Sequence, residues 1–188
     1  MSKTIKGEET KRRIIKCSAD LFFRNGYNAT GISDILKAAE IPKGSFYFHF
    51  DSKRNVAEEV ALYYEKILTD WILEYYSKYE GSEFIEKFIG SMIVKAEKNE
   101  YYGCPLTTIG QELAFFEPDL AESYNKSLSK LLRLFITIFK NSGVDDEKSQ
   151  VKGKKAFAMY EGFLVYYRIS KDINVLYDMQ RELKLLFV

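Results

Sequence analysis

His49 is the chain's one histidine, and Cys17 and Cys104 are its two cysteines. A Ser-His-Asp triad would have to use His49, yet no glycine-flanked elbow serine is present. The three residues lack zinc-ligand spacing. No glycine pattern matches a dinucleotide fingerprint or a Walker loop, because Ile32 stands where the Gly26–Gly31 gap would need lysine. The acidic run Asp145-Asp146-Glu147 reads as a capped helix N-terminus rather than a metal site. The expectation is therefore no enzyme, no metal and no cofactor. What remains is Lys43-Gly44-Ser45: a cation, a backbone that can be approached closely, and a hydroxyl. All three suit the end of a helix that meets base edges and phosphates.

The elements that must position this tripeptide read as helices. Ile14, Ile15, Ala19, Phe22 and Phe23 recur at spacings of three and four, which predicts a helix over 8–25 that Gly26 ends. Thr30 is the expected N-cap of a second helix carrying Ile32, Ile35, Leu36 and Ala39. Pro42 breaks it and opens a short third helix over 43–49. Phe46 and Phe50, four apart, face one side as an anchor, and Tyr47 lies off that stripe. Asp51 or Ser52 caps a long helix to about Tyr79. Five more helices are expected, at about 83–98, 107–116, 118–140, 147–170 and 174–187. The fold class is all-α with about nine helices: a helix-turn-helix domain over 1–52 and a helical domain over 53–188.

Charge supports a polyanion-binding head. Residues 1–55 carry 11 Lys+Arg against 6 Asp+Glu, a balance of +5. Residues 56–188 carry 17 against 21, a balance of −4, so the net +1 of the chain hides an asymmetry. No apolar run reaches the roughly 18 residues of a membrane span. Met1 to Arg13 is basic without an apolar core, unlike a signal peptide. Two cysteines make no disulfide framework, so a cytoplasmic protein is expected. An all-α interaction module whose basic head binds an acidic protein stays open at this point.

The run Gly26-Tyr27-Asn28-Ala29-Thr30-Gly31-Ile32-Ser33-Asp34-Ile35, then Ala38-Ala39, Lys43-Gly44-Ser45-Phe46-Tyr47-Phe48-His49-Phe50 and Ser52-Lys53 closely resembles the DNA-binding domain of TetR-family transcriptional repressors. The resemblance covers roughly residues 10–55. It implies a dimeric, all-helical repressor of double-stranded operator DNA whose larger domain binds a small effector. By position it implies DNA contacts from Thr30, Lys43, Gly44, Ser45, Tyr47, His49 and Lys53, mostly to phosphates. Phe48 departs from it, since the family often has a polar residue or tyrosine there. Further on, Gly103-Cys104-Pro105-Leu106 and Gln111-Glu112-Leu113-Ala114 resemble a short motif in one broad branch of these repressors, some of which sense electrophiles through a cysteine.

The body is rich in aromatic residues. Trp71, Phe88, Met92, Cys104, Ile109, Leu113, Phe116 and Tyr160 are the candidate pocket for a flat, largely apolar effector. Cys104, beside Pro105 at an expected helix start, is also a candidate sensor thiol, because a helix N-terminus favours thiolate. Phe157, Phe163, Leu164, Tyr167, Leu176, Met179 and Leu183 look surplus to one fold. They are the candidate face for a second copy.

Overall fold

A computed structural model describes residues 3–187. Nine α-helices run through them, with no strand among the described residues. They are α1 Lys3–Asn25, α2 Ile32–Ala38, α3 Lys43–His49, α4 Lys53–Tyr76, α5 Gly81–Glu97, α6 Pro105–Phe116, α7 Pro118–Asn141, α8 Asp146–Ser170 and α9 Asn174–Lys184, followed by a single 3₁₀ turn, Leu185–Phe187. Apart from the start of α1, the helix ends fall within three residues of the expected ones. No helix of the described residues is long and apolar enough to cross a membrane.

The chain divides into two compact units. One comprises Met1–Lys66 with Thr108–Ser127, the other Ile67–Thr107 with Leu128–Val188. In the first, α2 and α3 both pack on α1. Ile14, Phe22, Tyr27, Ile35, Phe46, Val56 and Val60 are buried there. In the second, α9 packs on α5 and α8, over a core that includes Phe84, Phe88, Met92, Phe135, Tyr160 and Leu176.

Local signals explain the breaks. Gly26 takes a φ of +93° and donates its N–H to Phe22 O, closing α1. The expected Thr30 cap is corrected: Gly31 is the N-cap of α2, and its N–H donates to Asp34 Oδ2 at 2.8 Å. Thr30 is only 1% exposed, and its hydroxyl donates back to Gly26 O at 2.7 Å. Of the two candidates for α4, Ser52 is the cap, its Oγ accepting the Asn55 N–H. Asp145 caps α8 by accepting the Lys148 N–H.

The turn between α2 and α3 is a Schellman arrangement. Ile41 N–H reaches Leu36 O, and Glu40 N–H reaches Lys37 O. Glu40 sits in the left-handed region with a φ of 51°. A side chain there costs about 1 kcal/mol relative to glycine. Glu40→Gly is therefore expected to raise the melting temperature by a few degrees, read by circular dichroism, with operator affinity unchanged.

Candidate nucleic-acid interface and regulatory unit

α3 carries the chemistry the tripeptide promised. Phe46 and Phe50 are buried, with ring centroids 6.0 Å apart, and fix the helix on its inner side. Lys43, Gly44, Tyr47 at 45% exposure and Phe48 at 81% stand exposed. The Lys43 ammonium stands 5.8 Å from the Tyr47 ring centroid, and Phe48 meets His49 edge-on at 4.9 Å. A Cβ on Gly44 would meet nothing within 4 Å, so no packing within the chain requires glycine there. Ser45 and His49 are half-buried at the sides of this face.

Two of the expected contact residues make bonds within the chain. Thr30 lies inside its turn, as described above. Lys53 donates to Tyr27 O at 2.9 Å and Thr30 O at 3.0 Å, and its ammonium lies 4.1 Å from the Tyr27 ring centroid. Its charge holds the α1–α2 turn through these two carbonyls.

The same turn is clasped by residues whose roles the sequence reading missed. Both oxygens of the Glu112 carboxylate accept backbone N–H groups at 2.8 Å, from Tyr27 and Asn28. The Tyr27 hydroxyl donates to Glu117 Oε1 at 2.9 Å. Burial and the Glu117 carboxylate push that phenol far above its ordinary range, so it stays a neutral donor. A Cβ on Gly26 would lie 3.0 Å from Glu112 Oε2, so a side chain there would press on that carboxylate as well as strain the backbone at a φ of +93°. The only available signal was the Gln111-Glu112 motif, which carried no role.

Two family models match this chain. Residues 14–60 match the bacterial regulatory proteins of the tetR family, and residues 82–182 match the LmrA/YxaF-like transcriptional regulator C-terminal domain. The chain belongs to the TetR family of transcriptional regulators. It is 27% identical to an HTH-type transcriptional regulator in the lacX 3' region of Lactococcus lactis, over 89% of this chain and 87% of the relative. It is 28% identical to the HTH-type transcriptional regulator QacR of Staphylococcus aureus, over 73% of this chain and 72% of that one. The fold is similar to that of a regulatory protein TetR from Rhodobacter sphaeroides, with a TM-score of 0.82 at 19% identity, covering 94% and 98% of the two chains.

Several of the candidate pocket residues lie in the second unit. Trp71 and Phe88 meet at 5.2 Å, Phe88 and Tyr160 at 6.2 Å, and Trp71 and Tyr101 at 6.3 Å. Met92 is buried in the same unit. Of the other candidates, Ile109 and Leu113 belong to the first unit and are buried, and Phe116 stands 70% exposed at the end of α6.

Cys104 is 4% exposed. Burial first, and the nearby Glu161 charge second, push its thiol far above the ordinary range. The start of α6 beside it favours thiolate only weakly by comparison, and desolvation prevails. These features count against the sensor-thiol reading. Cys17 is half-buried, its thiol donating to Ala38 O.

The expected dimer face needs correction too. Leu176, Met179 and Leu183 are buried within the protomer, because α9 lays its apolar stripe on α5 and α8. Leu164 and Tyr167 are buried as well, and Phe157 and Phe163 are half-buried. The exposed apolar residues of α8 are different ones: Val151, Ala158, Tyr166 and Ile169, the last at 77%. With Gly162, whose Cβ would meet nothing within 4 Å, their spacings of seven, four, four and three make one helical stripe.

Proposed function

We propose that this TetR-family regulator is a dimeric repressor that occludes a promoter and leaves its operator when a small effector binds. Residues 1–52 are the proposed DNA-reading head, and residues 53–188 the effector-binding and dimerising body. The observation that carries the reading is the exposed α3 face, with a cation, an unobstructed glycine and two aromatic rings, held from behind by Phe46 and Phe50. Lys43, Gly44, Ser45, Tyr47 and His49 are its proposed contacts. Two such helices would enter successive major grooves about 34 Å apart. The exposed α8 stripe is the proposed dimer face. The proposed compartment is the cytoplasm, where operator DNA is, and the proposed body is non-enzymatic.

An effector must bind the non-operator state more tightly, commonly by about 1–3 kcal/mol in coupling. The test is a gel-shift titration of the purified protein on DNA upstream of its own gene, with scrambled DNA as competitor. A competitor-resistant complex supports the reading. Binding to neither DNA, even at low salt, overturns it.

Salt dependence separates contact from positioning. Lys43→Ala is expected to weaken operator binding and to reduce the slope of log K against log salt by about 1, because one phosphate contact is lost. Lys53→Ala is expected to weaken binding without that change in slope, because its ammonium holds the turn. Equal slope changes for both variants would return Lys53 to the phosphate-contact set.

A further inference from the structure

A cavity of about 520 Å³ opens on the second unit, where the end of α4, the start of α5 and the end of α7 meet. Tyr76, Glu80, Gly81, Ser82, Asn141 and Ser142 line it. Its volume lies within the range of small-molecule sites. Gly81 takes a φ of +53°, and a Cβ there would meet nothing within 4 Å, so this wall carries no side chain. The other walls are polar, and most of their hydrogen-bonding capacity is unused within the chain. Glu80 precedes α5 at the N-cap position, yet its carboxylate accepts no cap bond. The Tyr76 hydroxyl and the side chains of Glu80, Ser82 and Asn141 make no hydrogen bond among the described residues. The Ser142 hydroxyl donates to Ile138 O at 2.8 Å, which leaves its oxygen as an acceptor. The Tyr76 ring is half-buried and is held edge-on by Phe84 at 5.6 Å.

The balance of these groups selects the ligand. One carboxylate and no cation line the cavity, which disfavours anions. Tyr76 brings its one ring, and no aliphatic side chain lines it, which disfavours a flat apolar molecule. The carboxylate, carboxamide and hydroxyls set donors and acceptors side by side. A ligand hydroxyl suits both kinds, because it donates to a carboxylate and accepts from an amide N–H. The two oxygens of one carboxylate can take hydroxyls on adjacent carbons, each through a charge-assisted bond. We propose that this cavity binds a neutral cyclic polyol of monosaccharide size. Glu80 takes two adjacent hydroxyls, Asn141 pairs with a third, and the Tyr76 ring packs on the C–H face. The proposal is independent of the apolar effector in the reading above.

The experiment uses the full chain and four probes, D-glucose, D-galactose, D-mannose and myo-inositol, read by saturation-transfer NMR on the ligand protons. At least one is expected to bind with a Kd of about 1 mM, the affinity open to a ligand of about a dozen non-hydrogen atoms. Glu80→Gln is expected to weaken that binding about fivefold to tenfold, because a charge-assisted acceptor becomes a neutral one. Asn141→Ala is expected to weaken it about fivefold through the loss of one hydrogen bond. Both side chains are exposed and bond nothing within the described residues, so neither variant threatens the fold. Absence of saturation transfer to all four polyols overturns the proposal. So does undiminished binding in either variant, which would place the polyol elsewhere. Cyclohexylmethylamine, charged at pH 7, is the contrasting probe. If it binds through Glu80 while the polyols do not, the cavity takes a cation and the polyol site is overturned.

Discussion

Gly153→Ala is expected to lower the melting temperature of this protein by about 4–8 °C, even though alanine is the better helix former. A Cβ at Gly153 of α8 would lie 2.6 Å from Ile136 Cα, 2.7 Å from Ile136 Cγ1 and 2.8 Å from Ile136 N. Carbon atoms not bonded to one another rest at about 3.5–4.0 Å. Two of the three obstacles are backbone, so a rotamer change cannot relieve the clash, and α7 must move away from α8. That movement strains the contacts the two helices share, where Phe135 meets Phe157 at 5.6 Å and Tyr160 at 5.3 Å. Overpacking of this kind costs about 3 kcal/mol at the upper end of its usual range. The gain in helix propensity offsets about 1 kcal/mol. The remainder, about 2 kcal/mol, gives the stated shift for a chain of this length. Gly90→Ala is the control on α5. Its added Cβ would meet only Gln180 Nε2, at an ordinary 3.7 Å, so its melting temperature should hold or rise. If Gly153→Ala melts with Gly90→Ala, the close approach of α7 and α8 does not constrain the unit.

The contrast between these two glycines shows what could be read from sequence. Features set within a few residues were legible. Gly26 ends α1, Pro42 separates α2 from α3, Asp145 caps α8, and Pro118 starts α7. The face of α3 was legible as well, because Phe46 and Phe50 share one side of a helix and Tyr47 lies off it. Roles set by distant residues were not. Lys53 looks the same in sequence whether its ammonium meets a phosphate or the carbonyls of Tyr27 and Thr30. Glu112 reaches a turn 85 residues earlier in the chain. Leu176, Met179 and Leu183 make an apolar stripe that α5 and α8 of the same chain can cover as well as a second copy could. Amphipathicity states that a face must be buried and leaves open by what. Cys104 shows the same limit in electrostatics: its place before Pro105 favours thiolate, but its burial, which only the fold reveals, dominates.

Gly44→Ala is expected to separate operator binding from stability more cleanly than any other single change. The position lies in the first turn of α3, exposed, with open space where a Cβ would stand. Within the protein the methyl group therefore meets no obstacle, and alanine removes backbone freedom from the unfolded chain. The fold should gain up to about 1 kcal/mol. At the DNA the same methyl group would occupy the closest point of approach, between Lys43 and the backbone it is proposed to meet. A helix held off by part of an ångström lengthens every charge-assisted hydrogen bond on that face, and such bonds weaken steeply with distance. Operator affinity is expected to fall about 10- to 100-fold, or about 1.4–2.8 kcal/mol, while the melting temperature holds or rises. Gly44→Leu should deepen the loss, again without unfolding the chain, because the larger side chain also projects into open space. The measurement is a gel-shift titration on the selected operator beside a thermal melt of the same preparation. A Gly44→Ala variant that binds like wild type would mean that the N-terminal turn of α3 never closes on the DNA, and the interface would have to be sought around Tyr47 and Phe48 instead.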